Sequence, residues 1–229
     1  MLYTAETVRD AIRTVEGKRV FWLYPEDRLT PAAEDWLRDE GIELQRRAAA
    51  PEEFTDLWGG KLSHKPEELT HLTGQLLVPK THRRIEFRGQ LDCLQAQVLL
   101  CQCYCPHWRS ALEEILGLCK AIMRADVLDE PLGEVQLGGL DGEALRNHSH
   151  YPQRYYGQGH FQPDAAHGES LLWLNHLRTV IRRTELLCCH AFEDAEGHLR
   201  RKDLVKGLNR MSSYCYILMI REKSSQRGR

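Results

Sequence analysis

Hydrophobic and polar positions alternate most regularly between Leu171 and His190, LLWLNHLRTVIRRTELLCCH, a stretch without Pro or Gly. At about 100° per residue, Leu174, Leu177, Ile181, Thr184, Cys188 and Phe192 fall on one side, a stripe fit for burial. Arg178, Arg182 and Glu185 stack beside it at i, i+4 and i+7, while Arg183 projects from nearly the opposite side. A neighbouring helix or a bound anion would meet that charged margin; the plain alternative is a surface Glu–Arg ladder.

Three more long helices follow from the same period. One spans Arg84 to about Cys105, with Leu91, Leu94 and Val98 in register. Pro106 ends it and opens the next, which runs to about Asp126. The last covers Lys202 to Arg221 and carries Leu204, Leu208, Met211, Cys215 and Leu218 on or near one side. A short helix is expected over Leu140 to Asn147. Two irregular loops, 48–79 and 149–168, precede the first and third long helices.

Residues 1–47 read as a small α/β unit. A helix is expected from Thr4 to Glu16, where Val8, Ile12 and Val15 share a side, then an extended run from Val20 to Tyr24. Thr30 suits an N-cap, Pro31 the first helical turn and Gly41 the stop, after which Ile42 and Leu44 resume an extended pattern. The expected organisation is therefore mainly α: an up-down bundle of four to five long helices behind a small α/β unit. Its divisions are 1–47, a connector and candidate phosphate loop at 48–79, the bundle at 80–221 and a disordered tail at 222–229.

Composition narrows the function. A formal net charge of −2 over 229 residues argues against nucleic-acid binding. No apolar run approaches membrane-span length, and the N-terminus lacks a signal-peptide pattern, so a cytoplasmic chain with eight reduced cysteines is expected. Thr70, Thr73, Gly74 and Lys80 are suited to an anion: glycine admits close backbone approach, and hydroxyls and ammonium donate. Asn209 and Arg210 interrupt an apolar stretch and need partners if buried. Cys101, Cys103, Cys105 and His107 form a CxCxCPH string, but thiols two residues apart on a helix scatter, so no metal site is expected there. His148, His150, His160 and His167, in the second loop, are candidate ligands for a metal or for cobalt from below; the plain alternative is a histidine-rich loop at a cleft rim with no such role.

Three ordered segments carry a resemblance: Lys80–Asp92, Leu177–Glu185 and Leu208–Ser213. Lys80, Arg84, Gly89 and Asp92 are similar in spacing to a PduO-type ATP:cob(I)alamin adenosyltransferase segment. Arg178, Thr179, Arg182, Arg183 and Glu185 match its Arg-Thr-x-x-Arg-Arg-x-Glu helix, and Leu208, Asn209, Arg210, Met211 and Ser212 its Leu-Asn-Arg-Leu-Ser segment. The connecting text, including KPEELTHLTGQLLVPKTHRRIEFRGQLDCLQA, IMRADVLDEPL and LRNHSHYPQRYYGQGHF, resembles the ethanolamine-utilization (EutT-type) branch more closely still. The resemblance covers about residues 65–221. The chain departs from it in having no cysteine before Cys93, where that branch carries a His/Cys cluster, and in placing Arg88 where an aromatic residue precedes the glycine.

The resemblance implies transfer of the 5′-deoxyadenosyl group of ATP to cob(I)alamin, giving adenosylcobalamin for ethanolamine ammonia-lyase. It implies ATP contacts from Thr73, Gly74, Lys80, Arg84, Arg182 and Asn209, and Glu185 on Mg²⁺ or the ribose. It further implies an Asp92–Arg178 interhelical ion pair shaping the site, and Phe161 with His160 against the corrinoid. Its implied partners are an electron-donor protein or other reductant, a cobalamin-dependent lyase, a bacterial microcompartment shell and further copies of the chain, as a trimer or dimer. The competing reading is a non-catalytic cobalamin-binding or delivery protein.

Overall fold

The computed structural model describes residues 2–15, 17–47 and 53–226. The chain divides into two units, residues 1–65 and 66–229.

In the first unit, β1 (Leu2–Tyr3) pairs in parallel with β4 (Arg28–Leu29). Strand β2 (Arg13–Val15) lies antiparallel to β3 (Lys18–Leu23), which lies parallel to β5 (Glu43–Arg46). Helix α1 (Pro31–Asp39) begins as expected: the Thr30 hydroxyl accepts the Ala33 amide at 3.3 Å and Pro31 opens the first turn. Val8, Phe21, Leu23, Leu37 and Ile42 make the core. The helix expected from Thr4 to Glu16 does not form. Thr4 and Thr7 exchange side-chain and backbone hydrogen bonds, a single 3₁₀ turn covers Arg9–Ala11, and Arg13–Val15 is strand. β-branched Thr14 and Val15 favour a hairpin, and Gly17 supplies its turn at φ 79°. Glu16 lies outside the described residues. The connector also holds structure: β6 (Phe54–Thr55) pairs antiparallel with β7 (Lys61–Leu62).

The second unit opens on a hairpin, β8 (Leu69–Thr73) and β9 (Leu76–Pro79), turning at Gly74 with φ 51°. The bundle follows. Helix α2 (Arg83–Tyr104) starts at an N-cap in which the His82 ring accepts the Arg84 amide at 3.2 Å. Pro106–Trp108 makes a 3₁₀ turn into α3 (Arg109–Val127). A small ribbon, β10 (Gln136–Leu137) and β11 (Leu140–Asp141), leads to α4 (Gly142–His150), capped by Asp141. The second expected loop contains a short helix, α5 (Pro152–Tyr156), before α6 (Gly168–Phe192) and α7 (Lys202–Gln226).

The long helices run up and down. Arg84 meets Asp126 and Gln102 meets Glu113, so α2 and α3 are antiparallel. Leu174 meets Cys215 and Glu185 meets Asn209, which gives α6 and α7 the same relation. Phe87 meets Phe192 edge-on at 6.0 Å, so α2 starts where α6 ends. Every position of the α6 stripe from Leu174 to Phe192 is buried. α7 continues past the expected Arg221 end because Glu222 is held there: its carboxylate accepts the Trp108 indole at 2.8 Å and meets the His107 ring at 2.7 Å.

Candidate functional site

Where α4, α6 and α7 approach, they enclose a polar cleft of about 290 Å³ lined by Ser149, His150, His160, Arg178, Arg182, Asn209, Ser212, Ser213 and Tyr216. Helical periodicity explains the convergence. Arg178 and Arg182 are one turn apart on the margin of the buried α6 stripe, and Asn209, Ser213 and Tyr216 follow at i, i+4 and i+7 on α7.

Charge in the cleft is unbalanced. Asn209 donates its carboxamide to Glu185 at 2.9 Å and accepts from Arg210 at 2.6 Å. Arg178 reaches only Asn175, at 3.2 Å, and its Nε is buried with no hydrogen-bond partner among the described residues; the same holds for Arg210 Nε. Burial and the nearby Arg146 lower the Arg210 pKa from its ordinary value. Arg182 is exposed and meets no carboxylate among the described residues. Two guanidinium groups without an internal counter-ion, beside hydroxyls, make a receptor for an anion.

Opposite them stands an aromatic wall. His160 stacks on Tyr216 at 5.8 Å, and Phe161 lies 6.2 Å from the same ring. Burial raises the Tyr216 pKa, so the phenol keeps its proton. His160 Nε2 lies 3.1 Å from the His150 carbonyl, which can only accept. In the neutral ring that nitrogen carries the proton, and Nδ1 accepts from the Tyr216 hydroxyl at 3.0 Å. Both ring nitrogens are thus engaged. Lys223 Nζ sits 4.0 Å over the Phe161 ring.

The remaining expected residues lie elsewhere. Thr73 and Gly74 form the β8–β9 turn, where the His71 ring nitrogen Nδ1 meets the Gly74 carbonyl at 3.1 Å. Lys80 reaches Glu67 at 3.5 Å at the exposed surface. Arg84, expected at the phosphates, has committed its guanidinium to Asp126: Nε to Oδ1 at 2.9 Å and Nη2 to the backbone carbonyl at 2.8 Å. Asp92 is exposed, and no Asp92–Arg178 ion pair occurs among the described residues. Asp92 sits beside the buried α2 positions Leu91 and Leu94 but points outward. The hairpin set and the cleft set stand apart. The start of α2 packs on Phe192, and Arg182 lies ten residues back along α6, about 15 Å of helix.

Sequence reasoning missed Asp126, Ser149 and Tyr216. Asp126 was detectable: it continues the buried Cys119–Ile122 spacing of α3, and a carboxylate on an apolar stripe demands a cation. Within the cysteine string Cys101 and Cys105 meet in the core, sulfur to sulfur at 3.9 Å, while Cys103 is exposed and stands apart from them. Three potential metal ligands do cluster at Asp194, Glu196 and His198, but the Asp194 carboxylate accepts the Glu196 and His198 amides and so builds the α6–α7 turn.

Residues 150–222, which hold all of the cleft except Ser149, match the family model for Cobalamin adenosyltransferase. The Corrinoid adenosyltransferase EutT of Salmonella typhimurium is 34% identical over 203 residues, covering 88% of this chain and 76% of that protein. The protein of the same name from Escherichia coli K12 is 36% identical over 177 residues, covering 77% of this chain and 66% of its own length. The chain belongs to this family of EutT-type corrinoid adenosyltransferases.

Proposed function

We propose that the chain transfers the 5′-deoxyadenosyl group of ATP to cob(I)alamin. The observation that carries this reading is the convergence of Arg178, Arg182 and Asn209 on one cleft, where neither arginine meets a carboxylate among the described residues. In the reaction the Co(I) electron pair forms the Co–C5′ bond, and the C5′–O bond breaks with its electrons leaving on the triphosphate. The protein's task is then positional and electrostatic. Arg182, exposed at the cleft, stabilises the charge that develops on the leaving group. Arg178, fixed by Asn175, sets the cleft wall. Glu185 is a carboxylate already oriented by Asn209, which fits a magnesium ion that arrives on the nucleotide phosphates. Phe161 and His160 present an aromatic face to the corrin ring, and the engaged nitrogens of His160 leave it to contact the corrinoid through that face rather than as a cobalt ligand.

Thr73, Gly74 and Lys80 supply the remaining phosphate contacts from the β8–β9 hairpin. Their separation from Arg182 within one chain favours a homo-oligomer, a trimer or dimer, in which the hairpin of one copy meets the α6 face of another. Asp92, exposed on α2, is available to such a neighbour. A reductant, a cobalamin-dependent lyase of ethanolamine degradation and a microcompartment shell are the partners this role calls for.

The test is anaerobic. Protein, Mg·ATP and chemically reduced cobalamin are mixed and the corrinoid spectrum followed. ATP-dependent formation of the alkylated corrinoid is expected. Corrinoid binding without turnover would convert the reading to a carrier. Sedimentation of the protein with and without ATP measures the assembly.

A further inference from the structure

Asp126 is a fully buried carboxylate, and two arginines of α2 close on it from one side. Arg84 takes Oδ1. Arg88 takes Oδ2 through Nε at 2.5 Å. The Arg88 guanidinium does not stop there. Its Nη2 donates to the Leu72 carbonyl at 2.8 Å and its Nη1 to the His71 carbonyl at 3.3 Å. Those two carbonyls belong to β8 immediately before the Thr73–Gly74 turn. The ladder between β8 and β9 shifts register at this point, between His71 and Thr73, so strand pairing alone does not fix the turn. Leu77 and Val78 bury the far strand, and the Lys80 amide closes on the Glu68 carbonyl at the base. The His71 ring holds the tip from within, at the Gly74 carbonyl, and Arg88 ties the strand before it to the bundle, itself oriented by one buried acid.

We propose that Arg88 and Asp126 are positioning residues for the nucleotide: through the His71 and Leu72 carbonyls they set where Thr73 and Gly74 present their donors. The proposal rests on the adenosyltransferase reading above and extends it to two residues outside the cleft. The chemistry requires arginine. A planar fork spans one carboxylate oxygen and two carbonyls at once, whereas an ammonium is a single point. Glycine at φ 51° leaves the turn backbone open to a phosphate but contributes no stiffness of its own, so the anchor supplies it.

Arg88→Met separates this role from plain stability, because Asp126 keeps its bonds to Arg84. Two readouts are taken on the full chain. Amide hydrogen exchange over residues 70–78 is expected to accelerate at least tenfold in Arg88→Met, with α2, α3, α6 and α7 unchanged. Steady-state assay is expected to show kcat/KM for ATP down on the order of a hundredfold, as for a reactant misplaced by about 1 Å, with KM for cobalamin unmoved. Arg88→Lys is the second variant, in case the methionine lowers the melting temperature sharply. It restores charge but is expected to restore neither readout. Unchanged exchange at the hairpin overturns the anchor. Faster exchange with an unchanged kcat/KM for ATP overturns the positioning role while leaving the enzyme reading intact. A wild-type chain that does not use ATP at all removes the enzyme reading and this role with it, although the exchange result still reports whether the anchor exists.

Discussion

The bundle carries two pairs of arginines, each one helical turn apart, with opposite fates. Arg84 and Arg88 on α2 close around Asp126, so their charge is spent inside the protein. Arg178 and Arg182 on α6 have the same i, i+4 spacing and no carboxylate among the described residues. Spacing alone makes the pairs look equivalent. What separates them is the element packed opposite: α3 offers a buried acid, whereas α4 and α7 offer hydroxyls, carboxamide and aromatic rings. An arginine pair whose counter-ion is built in stabilises the fold. A pair without a counter-ion among the described residues is open to an anion from outside, as proposed above for the nucleotide.

Four substitutions test that contrast. The largest effect belongs to Asp126→Ala, which strands two arginines. A loss of about 3–5 kcal/mol in unfolding free energy is expected, read from denaturant titration. Loss below about 1 kcal/mol would mean that the buried acid is not the counter-ion it looks to be. Next comes Arg182→Ala. Turnover is expected to fall by roughly 10²–10³, as when one donor to a developing charge is removed. Unfolding free energy should stay within about 0.5 kcal/mol, since the side chain is exposed. Arg178→Met is the sharper partner of that experiment. Removing a guanidinium with an unpaired buried nitrogen should leave the melting temperature equal or slightly higher while activity falls, the trade expected of a functional residue.

The smallest effect is a pH dependence at His82. Burial first, then Arg84, Arg88 and Arg83, hold its pKa below the ordinary 6.5. The folded chain therefore binds the proton more weakly than the unfolded chain. The capping contribution is fully present above pH 6.5 and is lost as pH falls from there through the lowered folded value. Wild type should lose stability over that window relative to His82→Asn, by less than about 1 kcal/mol. Parallel curves for the two proteins would remove His82 as the titrating cap.

Much of this contrast is readable in the residues. The α6 stripe follows from period alone because five apolar positions and Thr184 at helical spacing have one solution, and all six are buried. The three polar motifs identify the arginines of interest. The residues do not say which arginine has a partner, because Asp126 lies 42 and 38 positions from Arg84 and Arg88 and its pairing depends on how α3 folds back. The segment from Thr4 failed for the opposite reason. Val8, Ile12 and Val15 share a helical period, but β-branched residues before a glycine turn supported a hairpin that a single-segment reading does not weigh.

α6 also works as a ruler. It is 25 residues long without interruption, about 37 Å from end to end, with the cleft arginines toward its middle and Phe192 at its end. Length and facing are coupled along such a rod. One residue inserted between Arg182 and Phe192 would turn the arginines about 100° relative to the ring that seats α2, taking them out of the cleft. Seven inserted residues would restore the facing to within about 20° but carry the two ends some 10 Å further apart. Substitutions in this stretch change contacts one at a time; a change in its length re-aims the whole site.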